Sequence, residues 1–131
     1  MLFGISLWWI VIAAAVYFGI GAVWYSPVLF AKAWMNEIKM KKADRNMAAS
    51  AMITTFICIL VLVIVEAYFI RATGTAGWLH GLALGIKVWL GFAATTALIN
   101  SSFQNGSKKL YLIDQGYHLV GIAVAAMILA H

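Results

Sequence analysis

An all-α, four-helix transmembrane bundle, with a short interfacial amphipathic helix between spans one and two, is the fold this sequence predicts. Three observations predict it. The chain has 131 residues, 65% of them hydrophobic and 10% charged, whereas a soluble domain carries about a quarter charged residues. So short a chain has too much surface for its volume to hide that apolar content in one core, so lipid must serve as part of its solvent. Four apolar runs, Leu2–Tyr25, Met47–Ile70, Trp78–Ile99 and Leu110–Ala130, each reach the ~20 residues that cross ~30 Å of hydrocarbon as a helix. A single proline and the absence of period-two alternation favour helices over barrel strands. A helix also satisfies its own backbone in lipid. Residues 1–131 are expected to form one transmembrane domain.

The first run resembles a signal peptide in placing Ala13, Ala14 and Ala15 after an apolar stretch. No Lys or Arg precedes them and the run continues to Tyr25, so it reads as a retained first span. Ser26 and Pro27 then offer a helix cap and a first-turn proline. Leu29, Phe30, Trp34 and Ile38 recur at helical spacing opposite Lys32, Asn36 and Lys39, the pattern of a short helix lying on a bilayer surface. Asp44 suits the N-cap of span two. That span carries Ser50, Thr54, Cys58 and Glu66 at multiples of four residues. Span three carries Gly77, Gly81 and Gly85 on one face, which lets a neighbouring helix come close. Span four carries Asp114, His118, Gly121 and Ala125, and span one Tyr17, Gly21, Trp24 and Tyr25. These small or polar stripes are expected to turn inward, because lipid offers them no partners.

Lys87 is the most informative single residue. It lies ~14 Å along span three from Trp78, on a face shared with His80, Leu84, Gly91 and Thr95. A cation at such depth costs about 3 kcal/mol or more unless a partner or a wet cavity accommodates it, which makes it a functional-site candidate by default. Glu66 is the first choice of partner, and Asp114 with His118 the second. Glu66, His80, Lys87, His118 and Asp114 would then form a broken polar line across the bundle. Each has a structural reading beside the functional one. Glu66 pairs with Arg71 or reaches toward the headgroups; Asp114 favours the positive end of helix four; His118 is a satisfied interior histidine; His80 is an ordinary interface residue.

Basic residues cluster in two connections: Lys32, Lys39, Lys41, Lys42 and Arg45 in the first, Lys108 and Lys109 in the third, against Arg71 alone in the second. The positive-inside rule then puts both termini outside an inner (cytoplasmic) membrane and the basic loops in the cytoplasm, facing anionic lipid headgroups. The net charge of +5 thus reads as a topology signal and not as nucleic-acid binding. The lone Cys58 can form no intramolecular disulfide. There is no phosphate loop, C-x-x-C or H-E-x-x-H, so no catalytic residue, metal or cofactor is expected. His80 and His118 fall at different depths, which argues against a shared haem.

Two blocks carry a resemblance. One is Trp24-Tyr25-Ser26-Pro27 followed by Phe30, Lys32 and Trp34. The other runs from Trp89-Leu90-Gly91-Phe92 through Thr95, Thr96, Asn100 and Phe103 to Leu112-Ile113-Asp114 and Gly116-Tyr117. Together they resemble the small, mostly bacterial integral-membrane family known as domain of unknown function 1761. A Gly usually precedes the Lys of the first block in that family; here it is Ala31, also small. The resemblance implies four spans and one domain, and it supplies no activity. Trp24, Tyr25 and Trp34 would form an aromatic belt at the cytoplasmic end, with Ser26-Pro27 turning the chain onto the surface. The functional alternative is a gate at the cytoplasmic mouth of a pathway.

The leading functional expectation is a homo-oligomeric transporter or channel for a small solute or ions, with Lys87 at its centre. The alternative is a non-catalytic accessory or scaffold subunit of a membrane complex; an intramembrane enzyme is poorly supported by the residue inventory.

Overall fold

The computed structural model describes residues 1–38 and 45–131. Among them the chain is helical throughout, apart from its connections and one tight N-terminal turn. The elements are α1 (Leu7–Trp24), α2 (Ala31–Ile38), α3 (Arg45–Ala72), α4 (Trp78–Val88), a π-helical segment (Trp89–Ala94), α5 (Thr95–Phe103) and α6 (Lys108–Ala130). Four helices are long and apolar enough to cross a membrane: α1, residues Ala49–Ala72 of α3, the continuous rod Trp78–Phe103, and α6. The short helix α2 lies between the first two. The all-α expectation therefore holds, with boundaries that differ in physically readable ways.

Span one starts at Leu7 and not at Leu2. Leu2 and Ile5 exchange both backbone hydrogen bonds, at 3.0 and 2.9 Å, with φ of +56° at Phe3 and +75° at Gly4. Positive φ at both central residues is the mark of the primed turns that close tight hairpins. Phe3 tolerates it while its ring meets Tyr68 edge-on at 5.4 Å. Ser6 then caps α1, accepting the Trp8 N–H at 3.3 Å.

The surface helix starts at Ala31, four residues after Pro27. Ser26 does not cap it: its hydroxyl donates back to the Val23 carbonyl at 2.6 Å. Residues 25–30 form successive turns instead, with Phe30 N–H donating to the Trp24 carbonyl at 3.1 Å. Trp34 is half-buried while Lys32 and Asn36 are exposed, as the amphipathic pattern requires. The proposed Asp44 cap and Lys41 lie outside the described residues.

Helix α6 is the centre of the bundle and packs on α1, α3 and α4. Its sequence explains why. Gly121, Ala123, Ala125, Ala126 and Ala130 are all buried, and small side chains let three neighbours approach one helix. Its pairing with α4 is the most extensive in the molecule. A Cβ added at Gly81 would stand 2.6 Å from the Ala126 carbonyl oxygen, and one at Gly85 2.9 Å from the Ala123 Cα. Gly77 contributes differently: at φ +90° it turns its N–H onto the Ala130 carbonyl at 2.6 Å. Against α1 the aromatic rings interlock with glycines in both directions. Tyr17 covers Gly121 and Tyr117 covers Gly21, each at under 3 Å from where a Cβ would sit.

Span three is one rod with a π-helical turn in its middle. The wide turn loosens the local backbone ladder, and side chains reach the carbonyls around it. Thr95 donates to Gly91 and Thr96 to Phe92, while Tyr111 of α6 donates to the Ala94 carbonyl at 2.7 Å.

Candidate functional site: a polar seam between α1, α3 and α6

The buried face of α3 reads Ile59, Val63, Glu66, Ala67, Ile70, at helical spacing against the apolar residues of α1 and α6. Glu66 replaces what would be one more aliphatic residue. It is 2% exposed, and neither carboxyl oxygen has a hydrogen-bond partner among the described residues. Burying a polar group this way costs about 1–3 kcal/mol, and an unpaired charge costs far more. Such a group persists in a folded protein for a reason.

The next layer is the Tyr17–His118 pair. The Tyr17 hydroxyl and His118 Nδ1 share a hydrogen bond of 2.6 Å. Tyr17 is 1% exposed and belongs to the same buried cluster as Val63, Ala67 and Ile70, which flank Glu66 on α3. The Tyr117 hydroxyl donates to the Tyr17 carbonyl at 3.2 Å, and the two rings meet edge-on at 5.3 Å. One turn further along α6 stands Asp114, whose Oδ1 accepts the Tyr25 hydroxyl at 2.6 Å. Asp114 and His118, four residues apart, share one face of α6. Counted at 1.5 Å per residue, Glu66 lies ~9 Å below the end of α3, Tyr17 ~15 Å into α1 and Asp114 ~9 Å into α6 from its other end. Glu66, Tyr17, His118, Asp114 and Tyr25 thus descend through the bundle in order.

Above Glu66, at the end of the bundle where both termini lie, a cavity of ≈ 430 Å³ opens between Gly4, Ile5, Ile70, Arg71, Thr75 and Leu129. Ile70 forms part of its wall, and Glu66 is one helical turn deeper on the same face. Glu66 itself does not line the cavity; the buried Ile70 stands between them.

At the other end the two sequence blocks that carry the family resemblance meet. The Trp24 indole donates to the Ile113 carbonyl at 2.9 Å, lies over Gly116 and packs on Phe30 at 5.0 Å. Tyr25 joins Asp114, Tyr117 and Trp34, with ring centroids at 5.6 Å and 5.4 Å for the last two. The Trp89 indole donates to the Gln115 carbonyl at 3.0 Å. Pro27 is exposed. The aromatic block thus anchors the α1–α2 corner to α6 and closes the seam.

Of the residues singled out from sequence, the structure brings Glu66, His118 and Asp114 into this seam. It does not bring Lys87 or His80. Both lie on the exposed side of the span-three rod, together with Gly91 of its π segment and Thr95 of α5; His80 Nδ1–H donates to the Ala76 carbonyl at 3.0 Å. The expected Lys87–Glu66 pair does not form within the protomer. Among the described residues there is no ion pair and no group of three metal-ligating side chains. Ser50, Thr54 and Cys58 also face outward. A four-residue stripe drifts about 40° per step on a 3.6-residue helix, so by Glu66 it has rotated to nearly the opposite side. Tyr25 is reached from sequence as part of the cytoplasmic-mouth block, whereas Tyr17 and Tyr117 are not named there as site residues. Tyr17 is marked only by its spacing with Gly21 and Trp24 on the inward stripe of span one, and a tyrosine on such a stripe reads first as packing.

No curated protein and no solved structure matches the chain. The sequence model of one family does, across residues 8–130, almost the whole length and both of the blocks that dock at α6. The chain belongs to the family described as protein of unknown function (DUF1761).

Proposed function

We propose that this protein is a membrane transport protein for a small solute or ions, and that the α1–α3–α6 seam is its path. The observation that carries the reading is Glu66: a fully buried acid with no hydrogen-bond partner among the described residues, below a cavity and above a hydrogen-bonded Tyr17–His118 pair. A purely structural bundle gains nothing from such a residue.

The reading includes self-association. Lys87 and His80 on the open side of α4 are poorly suited to lipid, and α4 packs chiefly on α6. Copies meeting through α4 would put Lys87 at the centre of the oligomer. That same open face supports the second reading, an accessory subunit that docks a different membrane protein.

The test is reconstitution. Liposomes containing the protein should pass one of Na⁺, K⁺, Cl⁻, H⁺ or a small neutral solute faster than protein-free liposomes, by electrical and osmotic-swelling assays. Glu66→Gln should remove most of the gain. The detergent-solubilised protein should weigh more than one chain by light scattering. No permeation by any probe sinks the transport reading, and a single-chain mass removes Lys87 from it.

Orientation follows from the basic connections and belongs to the same proposal. The termini would face outside and Lys32, Lys108 and Lys109 the cytoplasm, against anionic headgroups of an inner membrane. In a Cys58→Ala background, an impermeant reagent applied from outside should label Ala76→Cys and not Lys109→Cys. The reverse pattern inverts the assignment.

A further inference from the structure

We propose that the species carried by the seam is the proton, with Glu66 as the group that takes it up and Tyr17–His118 as the relay; the inference rests on the transport reading above. Size and coordination decide the matter. Hydrated or dehydrated metal cations need several oxygen ligands, six to eight for calcium and six for magnesium. At the level of Glu66 the seam offers one carboxyl, flanked on its own helix by Val63, Ala67 and Ile70, and the Tyr17 phenol, with Asp114 and Tyr25 farther along the bundle. A neutral solute has no room either, since the Tyr17 ring fills the notch at Gly121 and is 1% exposed. A proton needs a lone pair and a short hydrogen bond, and both are present.

The charged and titratable groups around the path come from three helices. Glu66 belongs to α3, with Arg71 at its end covering Gly4. Tyr17 and Tyr25 come from the α1 side, and Asp114, Tyr117 and His118 from α6. Among the described residues no lysine faces the seam; Lys32, Lys87, Lys108 and Lys109 are exposed.

The step balances without any co-reactant. The Glu66 carboxylic acid gives its proton to the Tyr17 oxygen while the Tyr17 O–H gives its own to His118 Nδ1. Tyr17 ends as it began, Glu66 is a carboxylate and His118 an imidazolium. His118 then loses the Nε2 proton to the Asp114 carboxylate, and tautomer exchange resets the ring. From Asp114, hydrogen-bonded to Tyr25, the proton leaves at the basic end. The line is broken at two places: Glu66 has no hydrogen bond to Tyr17, and His118, bonded through Nδ1 to Tyr17, has none from Nε2 to Asp114. A rotamer change of Glu66, or a water entering from the cavity above, must close the first gap, and a side-chain movement of His118 or Asp114, or a second water, the other. The structure therefore describes a gated relay with its gate shut, not an open wire.

The experiment uses the full chain in liposomes loaded with pyranine, driven by a potassium gradient and valinomycin. The parent protein should acidify the lumen at least several-fold faster than protein-free liposomes. Glu66→Gln should return the rate to the protein-free level. Tyr17→Phe, which keeps the ring over Gly121 and removes only the hydroxyl, should cut it at least tenfold. Variants are used only if they elute and melt as the parent does, and Tyr17→Phe carries the test if Glu66→Gln fails to fold. A parent rate equal to that of protein-free liposomes overturns the proposal, as does full proton flux in a well-folded Tyr17→Phe. The failures separate on a supported membrane. A Na⁺, K⁺ or Cl⁻ current without pH change refutes the proton and spares the transport reading. Silence to every ion and to the osmotic probes removes both.

Discussion

Gly81→Leu is expected to be the most damaging single substitution outside the seam, and even Gly81→Ala should be costly. A lone Cβ at this position would meet the Ala126 carbonyl oxygen at 2.6 Å, the Ala130 Cβ at 2.8 Å and the Ala126 carbonyl carbon at 3.1 Å. Two of these three atoms are backbone, held in the interior of a 23-residue helix, so they cannot swing aside as a side chain would. The α4–α6 contact must therefore open along its length. Overpacking a tight core typically costs 1–3 kcal/mol, and a clash against backbone belongs at or above ~3 kcal/mol. The loss also removes the Gly77–Ala130 hydrogen bond that pins the start of α4. Two glycines provide the control. Gly19 and Gly91 have nothing within 4 Å of an added Cβ, and Ala exceeds Gly in helix propensity by ~1 kcal/mol. Gly19→Ala and Gly91→Ala should melt at or above the parent temperature in detergent while Gly81→Leu melts far below it. Equal melting of all three would show that α4 is not held by this contact. A drop at Gly91 alone would place a second copy on the open face of α4.

What the sequence makes legible follows the strength of each physical constraint. Span length is legible because hydrocarbon thickness sets it, and α3, the α4–α5 rod and α6 fall within a few residues of their hydropathy runs. The start of α1 is not, because the Leu2–Ile5 turn is as apolar as the helix it precedes. The π segment over Trp89–Ala94 is invisible for a similar reason: it is as apolar as the helix on either side, and its contacts with α6, Tyr111 to the Ala94 carbonyl and Trp89 to the Gln115 carbonyl, join residues distant in sequence. Facing is the weakest inference. In water a polar stripe points outward and an apolar one inward, whereas in lipid both sides of a helix are apolar and only contacts decide. On α6 and α1 the decision is made by glycines that receive aromatic rings, so Asp114, His118 and Tyr17 turn inward as their spacing suggests. On α4 the glycines Gly81 and Gly85 take the inward side. Lys87, well off that face, is left outside. The Lys87–Glu66 pairing failed on this competition, since one helix cannot present both its packing face and its polar face to the same neighbour.

Glu66→Met is expected to stabilise the protein while abolishing the transport proposed for it. The parent buries a carboxyl group with two unpaired oxygens among Val63, Ala67 and Ile70. A methionine of similar length fills that volume with a flexible apolar side chain. Removing a buried polar group that lacks a partner recovers its desolvation cost, about 1–3 kcal/mol. If Lys87 compensated Glu66, the opposite would follow: either single change would strand a buried charge at a cost of about 3–5 kcal/mol, and Lys87→Met with Glu66→Met would recover it. The exposed Lys87 and the solitary Glu66 predict no such coupling. The double-mutant cycle should close to within about 0.5 kcal/mol, as it does for sites without shared partners. The measurement is unfolding in detergent for the parent, both single variants and the double, paired with flux in liposomes. A destabilised Glu66→Met would mean that the acid has a partner, and a strong cycle coupling would name it as Lys87, reached across a protomer boundary. A more stable and inactive Glu66→Met instead identifies an acid kept at the expense of stability, which is how functional polar groups in apolar interiors are recognised.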